Sequence, residues 1–219
     1  MIFWITAKRC TQEQVKKVLD AAKGNLCEVP IFIEEYYGTR RSEAIGLKWN
    51  AIDFAAKTIT IRHTVTVCSN GSLVKADITK TKKSYRTLPL IQNFEEYLLE
   101  VKEKQDALRE LIGPSYNPEG YVCVRDDGRL IHPDRVTYHY KQIVKKAGVP
   151  PNRNHDSRHS NASTLVKNHI NMKEIQRWLG HSDIKTTGNL YSHLETADLV
   201  EASQRIENSY KNSERNEAS

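Results

Sequence analysis

An arginine beside a predicted helix start is the first candidate for chemistry. Residues 38–43 (GTRRSE) place Arg40 between a glycine break and a helix that restarts at Ser42. A guanidinium at such a junction can bind two oxygens of a phosphate, while the free backbone N–H groups of the helix start add positive potential. Taken alone, however, the segment favours a solvated pair of arginines, Arg40 and Arg41, near a helix cap.

A run of basic residues precedes the third predicted strand. Residues 75–86 contain one acid, Asp77, and five basic residues: Lys75, Lys80, Lys82, Lys83 and Arg86. A flexible hairpin with this charge suits the backbone of a nucleic acid. On that interpretation the DNA-binding residues are Lys75, Lys82, Lys83 and Arg86. An ordinary edge strand explains the run equally well, because lysines on an edge prevent pairing between sheets.

Ionisable side chains are concentrated in residues 155–159 (HDSRH). His155 and His159 have the spacing of a metal-binding pair on a helix, but a metalloprotease motif needs Glu at position 156, where this chain has Asp. His155 and Arg158 on one face of a helix start suit a phosphate better than a cation. A histidine-rich surface turn is the alternative.

Two further polar groups follow a predicted helix end at Gly180: His181 and Tyr191. A tyrosine has a pKa near 10 in water, so it acts as a nucleophile only beside a proton acceptor and positive charge. A lone tyrosine is far more often a core or surface residue. Tyr191 therefore indicates no function by itself.

Hydrophobic spacing predicts that helices position most of these residues. Thr11 and Gln14 form a capping box at the first helix, and a second helix spans about 30–37 and ends at Gly38. The apolar period then changes to strand-like alternation. The predicted strands are 57–68, 73–78 and 85–90, in one small antiparallel sheet whose first turn is Asn70-Gly71. Further helices are predicted from Asn93 to about 112, over Asp134–Ala147 and from Asn171 to Gly180.

The composition is that of a globular chain with a mild preference for polyanionic partners. Its 219 residues are 38% hydrophobic and 27% charged, with a formal net charge of +6 and a pI near 9.0. No apolar run approaches the roughly 18 residues that cross a membrane, and the opening segment is too short for a signal peptide. The four cysteines have no Cys-x-x-Cys spacing, which predicts reduced thiols in a cytoplasmic protein.

Four motifs, taken together and in order, resemble the catalytic domain of the tyrosine recombinases, the phage integrase family. They are residues 38–43 (GTRRSE), 79–82 (TKTK), 155–159 (HDSRH), and 179–181 (LGH) with 191–193 (YSH). The chain looks like the integrases of temperate phages and conjugative transposons of Gram-positive bacteria over about residues 6–210. The resemblance implies a mainly helical α+β fold with a small three-stranded antiparallel sheet.

The resemblance also implies how the scissile phosphate of DNA is held. Arg40 and Arg158 would bind its non-bridging oxygens and stabilise the charge that builds in the transition state. His181 would hydrogen-bond the same phosphate. Glu43 resembles the acidic residue that orients neighbouring catalytic groups in the family.

The remaining implied roles concern bond breaking and proton transfer. Tyr191 would attack the phosphate and leave a 3′-phosphotyrosine with a free 5′-hydroxyl. Lys80 would protonate the leaving oxygen; Lys82 is the alternative, and Lys80 is preferred for the threonine that follows it. His155 would assist proton transfer at the tyrosine. No metal, ATP or other cofactor is implied.

The family's organisation suggests domains and partners. We expect a catalytic domain over residues 1–210, a polar tail over 211–219, and no N-terminal core-binding or arm-binding domain in this chain. The expected partner is double-stranded DNA at attachment or recombination sites. We expect the chain to be a monomer in isolation and to form a homotetramer on DNA. An excisionase or host bending factor is a further expected partner, and no membrane is expected. Two other activities stay open: relaxation resembling that of type IB topoisomerases, and DNA binding without productive turnover.

Overall fold

The computed structural model describes residues 10–78, 84–181 and Ser203, with only the backbone of Asn154 and His155. The chain divides into two compact units, residues 1–182 and 183–219, and all elements named below belong to the first. The predicted boundary at residue 210 and the tail lie outside the described residues. No helix in the described ranges is long and apolar enough to span a bilayer.

Helices make up most of the described residues. They are α1 (Gln12–Ala22), α2 (Glu28–Tyr37), α3 (Arg41–Ile45), α4 (Gln92–Ile112), α5 (Pro133–Lys146), α6 (Asn154–Lys167) and α7 (Met172–Leu179). The predicted capping box is present at α1, where Thr11 Oγ1 accepts from the backbone N–H of Gln14. α2 and α7 end at Gly38 and Gly180, both in the left-handed conformation that glycine adopts without strain.

The strands form two small sheets, where the sequence predicted one. They are β1 (Ile52–Asp53), β2 (Thr58–Ile61), β3 (His63–Val67), β4 (Leu73–Asp77) and β5 (Arg86–Pro89). The order is β1-β2-β5 in one sheet and β3-β4 in the other, with all pairs antiparallel. The predicted strand over residues 57–68 changes partner midway: Ile61 pairs with Arg86, whereas the Arg62 carbonyl accepts from the N–H of Ile78.

α2 is the central helix and fixes the elements that carry the site. Ile31, Ile33 and Tyr37 on α2 are fully buried, and the helix packs against α1, α3, α5 and α6. The Tyr37 hydroxyl donates to the Pro89 carbonyl at 3.2 Å and accepts from the Ile91 N–H at 3.0 Å. The C-terminal end of α2 is therefore held against the end of β5. The four cysteines are free thiols, and Cys27 and Cys123 are buried.

A buried carboxylate on α2 gives the fold a pH-dependent stability. Burial raises the pKa of Glu35 from 4.5 to about 7, although the Tyr140 hydroxyl donates to its carboxylate at 3.2 Å. Below pH 4.5 both folded and unfolded chains are protonated at Glu35 and there is no cost. As the pH rises to 7 the unfolded chain ionises first, so stability falls by about 3 kcal/mol and then levels off.

Glu35→Gln is therefore expected to raise the free energy of unfolding by up to about 3 kcal/mol at pH 8 and to have little effect at pH 4. The glutamine oxygen still accepts from Tyr140, so the hydrogen bond is kept. Urea unfolding at both pH values measures the difference. Glu110→Gln, at an exposed position on α4, controls for the loss of one charge, and an equal gain in both variants would contradict the prediction.

Candidate active site

Arg40 and Glu43 are joined at the start of α3. Arg40 precedes the helix, and its backbone N–H donates to Glu43 Oε2 at 3.0 Å while its Nη1 donates to Oε1 at 2.7 Å. The Glu43 side chain is 1% exposed, whereas that of Arg40 is 40% exposed. One buried carboxylate thus holds both the backbone and the guanidinium of Arg40, whose outer edge stays accessible.

Arg86 lies on the other side of the same carboxylate. Its Nη2 donates to Glu43 Oε2 at 2.9 Å, and its side chain is 5% exposed. Arg86 is therefore buried, whereas the sequence predicted a position in a flexible hairpin among the DNA-binding residues. Exposure alternates along β5, and Arg86 points to the same buried side as Leu88. That alternation was the available signal, since Arg86, Leu88 and Leu90 are two residues apart.

Arg158, on α6, completes a set of three guanidiniums. Its Nη1 donates to the Gly38 carbonyl at 2.6 Å and its Nη2 to the Leu179 carbonyl at 2.5 Å. α6 is held against α2 because the Asn161 amide donates to the Tyr36 carbonyl at 3.0 Å. Arg158 therefore bridges the C-terminal ends of α2 and α7, next to Arg40.

The electrostatics of this cluster favour an anion. In the described part of the chain, three guanidiniums (Arg40, Arg86 and Arg158) accompany one carboxylate, that of Glu43. Burial tends to raise the pKa of Glu43, but the charges of Arg86 and Arg40 outweigh it and hold that pKa below its usual value. Burial, and then the charge of Arg40, lowers the pKa of Arg158 to about 9, so it stays protonated at neutral pH.

His181 adds an uncharged ring to this positive site. It follows the left-handed Gly180 and is 8% exposed. Burial, and then the charges of Arg158 and Arg40, lowers the pKa of His181 to about 4. The imidazole is therefore neutral at pH 7. A neutral ring can donate a hydrogen bond to a phosphate without adding charge to the free protein.

A groove leads away from Arg40. Its volume is about 580 Å³. Among the described residues, its lining includes the basic residues Arg40, Arg41, Lys141 and Arg153 and no acidic residue. We call this the basic groove. Lys141 and Arg153 are exposed. Two acids lie beside it: Asp134 is 3.9 Å from Arg41 and Asp156 is 3.7 Å from Arg153.

Of the other predicted residues outside the cluster and the groove, the structure describes the side chain of Lys75 only. Lys75 is exposed on β4, where it is paired with Glu119 and lies 5.6 Å from the ring centre of Tyr121. His155 belongs to the first turn of α6, and its side chain is not described. The remaining predicted residues, Lys80, Lys82, Lys83 and Tyr191, lie outside the described residues. Among those described, no three His, Cys, Asp or Glu side chains are grouped as metal ligands.

The structure thus brings together four of the predicted site residues: Arg40, Glu43, Arg158 and His181. Residues 8–198 match the phage integrase family. The chain belongs to that family. The match begins before α1 and includes every motif that suggested the resemblance.

Relatives of this integrase-family chain are tyrosine recombinases and integrases. It is 31% identical over 194 residues to a tyrosine recombinase XerC-like protein of Caldanaerobacter subterraneus subsp. tengcongensis, covering 84% of this chain and 50% of the relative. It is 26% identical over 170 residues to the ICEBs1 integrase of Bacillus subtilis, covering 78% and 45%. The chain spans about half the length of these curated relatives.

Solved structures of similar fold confirm the predicted fold class. The Tn1549 transposon integrase, solved in complex with transposon right end DNA, matches with a TM-score of 0.75 and 21% identity over 91% of this chain and 66% of that chain. XerA recombinase matches with a TM-score of 0.67 and 20% identity over 91% and 65%. The fold is that of a tyrosine recombinase catalytic domain, mainly helical with small antiparallel sheets.

Proposed function

We propose that this chain is the catalytic part of a site-specific DNA recombinase that cleaves and rejoins DNA strands through a 3′-phosphotyrosine. The observation that carries the proposal is the cluster of Arg40, Arg158 and His181, in which Glu43 is the carboxylate that holds Arg40. A phosphodiester gains negative charge as a nucleophile attacks it. Donors and positive charge already in place around that phosphate stabilise the transition state more than the ground state.

Each member of the cluster has a distinct part in this proposal. Arg40, with an accessible guanidinium edge, binds a non-bridging oxygen of the phosphate. Arg158 is buried and held by two backbone carbonyls, so it supplies fixed charge and its remaining N–H groups. His181 donates from a neutral ring. Glu43 keeps Arg40 in place.

Bond breaking and proton transfer are assigned to further residues of the chain. The Tyr191 oxygen attacks phosphorus and loses its proton with help from His155, while the bond from phosphorus to the 5′-oxygen breaks. Lys80 gives that oxygen a proton, and Lys82 is the alternative donor. The phosphotyrosine keeps the energy of the broken bond, so a 5′-hydroxyl can attack it and rejoin the strand without ATP, a metal ion or another cofactor.

The proposal extends to partners. The substrate is double-stranded DNA at an attachment or recombination site, and a homotetramer holds two duplexes. The Tn1549 transposon integrase of similar fold was solved in complex with transposon right end DNA. An excisionase or a host bending factor is a further expected partner.

Covalent trapping tests the proposed reaction. The chain is incubated in EDTA with nicked, end-labelled duplexes of varied sequence. A nick beside the cleavage site lets the short fragment that carries the new 5′-hydroxyl diffuse away, which prevents rejoining. Detergent gels then resolve protein–DNA adducts. An adduct with the wild-type chain and none with Tyr191→Phe supports the proposal. Retained DNA binding without an adduct would instead favour a DNA-binding fragment, and relaxation of supercoiled plasmid by single protomers would favour a topoisomerase-like activity.

The basic groove is expected to bind the DNA backbone beside the cleaved phosphate. A double variant, Lys141→Gln with Arg153→Gln, removes two exposed charges from its lining. The double variant is expected to bind every duplex more weakly, whatever its sequence. A plot of log association constant against log salt concentration is expected to have a slope smaller in magnitude by about 2. Fluorescence anisotropy over a salt series measures both. Lys102→Gln with Lys104→Gln, on α4 and outside the groove, is the matched control, and an equal change there would refute the assignment.

A further inference from the structure

Arg86 is the buried guanidinium to which the proposed reaction assigns no part. Its Nη2 donates to Glu43 at 2.9 Å, its Nε to the Trp178 carbonyl at 2.7 Å and its Nη1 to the Ser84 carbonyl at 2.9 Å. Its side chain is 5% exposed, and all three of its side-chain nitrogens donate to protein groups. Its contacts are with groups that support the candidate active site.

The end of α7 connects Arg86 to the other two arginines. Three successive carbonyls there each accept from a different guanidinium: that of Trp178 from Arg86, that of Leu179 from Arg158, and that of Gly180 from Arg40 Nη2 at 3.4 Å. Carbonyls at a helix C-terminus lack intrahelical partners and carry partial negative charge, so they suit cations. The three guanidiniums thus share one backbone support.

The Arg86 guanidinium packs directly against the backbone of Gly180 at the end of α7. Gly180 has φ of +66°, and a Cβ added there would lie 2.8 Å from Arg86 Nη1. A side chain at position 180 would therefore displace either the guanidinium or the turn that leads to His181. The close approach ties the position of that turn to the position of Arg86.

Glu43 links Arg86 to Arg40, because its carboxylate accepts hydrogen bonds from both. Its Oε2 accepts from both Arg86 Nη2 and the Arg40 N–H, and its Oε1 accepts from Arg40 Nη1. A carboxylate held by one guanidinium on each side has a single orientation. If Arg86 were absent, Glu43 could rotate toward Arg40 and move the guanidinium that meets the phosphate.

We propose that Arg86 is a positioning residue for strand cleavage. It fixes the position of the Arg40 guanidinium through Glu43, and the position of the His181 ring through the end of α7. This inference rests on the proposed function, because it assumes that Arg40 and His181 meet the phosphate. Misplacement of a reacting group by about 1 Å can cost about 100-fold in rate. Arg86 therefore affects the chemical step far more than DNA affinity.

Arg86→Lys is the principal test. Lysine keeps the charge beside Glu43 but has no planar fork to span Glu43, Trp178 and Ser84. The rate of adduct formation in a single turnover at saturating nicked duplex is expected to fall about 100-fold, with the DNA Kd changed less than about threefold. Gln105→Met is the matched control, since Gln105 is also buried and polar, but bonds Trp49 and Val122. It is expected to lower the melting temperature without lowering the rate at a temperature where it stays folded.

A second variant keeps the test decisive if Arg86→Lys unfolds. Glu43→Gln with Arg86→Met removes both buried charges, a change that often preserves folding. Because Arg86 acts on Arg40 through Glu43, that part of its effect is already lost in Glu43→Gln, and only its effect on His181 through the end of α7 remains. The further loss in the double variant is therefore expected to be clearly smaller than the roughly 100-fold loss of Arg86→Lys. If removing Arg86 slowed cleavage by the full factor of about 100 even in the Glu43→Gln background, the two residues would act independently and the inference would be overturned.

Two other results would overturn it: a wild-type rate in folded Arg86→Lys, or a loss confined to DNA affinity. The proposed function is judged separately by whether the wild-type chain forms the adduct at all. If the wild-type chain forms no adduct, NMR of the chain without DNA tests the positioning role of Arg86. The signals of the Arg40 Nε–H and the His181 ring are expected to shift in Arg86→Lys and not in Gln105→Met. Unmoved signals would refute the positioning role.

Discussion

Arg158→Lys is expected to slow strand cleavage by about 1,000-fold. The guanidinium donates through Nη1 to the Gly38 carbonyl and through Nη2 to the Leu179 carbonyl, on two different helices. A lysine ammonium has three donors on a flexible stem but no rigid planar fork, so it cannot reproduce the geometry of both bonds and also keep further donors aimed at a phosphate. Single-turnover adduct formation on nicked duplex, compared with the wild-type chain, measures the loss.

The same substitution at an exposed arginine controls for the change of side chain. Arg129→Lys, in the turn after Gly128, is expected to cleave at the wild-type rate because Arg129 is exposed. Thermal unfolding separates lost chemistry from lost structure, and the comparison is made at a temperature where both variants are folded. A rate within tenfold of the wild type for folded Arg158→Lys would mean that Arg158 is not part of the phosphate site.

Helix boundaries were predictable because they depend on neighbours in the chain. The capping box at Thr11 and the glycine ends at Gly38 and Gly180 are set by local hydrogen bonds and by the freedom of glycine to adopt positive φ. Strand pairing is different. The alternation over residues 57–68 shows which side chains face inward, but it contains no information about the partner strand. The change of partner after Ile61 was therefore not predictable from it.

The candidate site was predictable in its members but not in its architecture. Arg40, Glu43, Arg158 and His181 were singled out from short motifs, and the structure places them together. The burial of Arg86 was not predicted, because a basic residue in a run of basic residues is typical of a protein surface. Its burial follows from the inward face of β5 and from a carboxylate distant in sequence. No local pattern could show that three arginines would share the carbonyls at the end of α7.

Glu43→Gln is expected to lower the free energy of unfolding by about 3 kcal/mol at pH 7 and to slow cleavage. Glu43 is ion-paired with both Arg40 and Arg86, and its own side chain is 1% exposed. A glutamine has nearly the same shape but leaves Arg86 as a buried charge without an opposite charge, which is costly. Urea unfolding measures the stability, and adduct formation on nicked duplex measures the rate.

The pH dependence distinguishes lost ion pairing from lost packing. The pKa of Glu43 is lowered in the folded chain, because the charges of Arg86 and Arg40 outweigh the effect of burial. The ionised carboxylate therefore stabilises the fold at pH values above its unfolded pKa of about 4.5. That contribution is lost as the pH falls from 4.5 through the lower pKa of the folded chain. The difference between wild type and Glu43→Gln should therefore shrink below pH 4.5. Glu119→Gln removes a partly exposed ion pair with Lys75 and is expected to cost less than about 1 kcal/mol. A difference for Glu43→Gln that stayed constant down to pH 3 would show that packing, and not charge, makes Glu43 necessary.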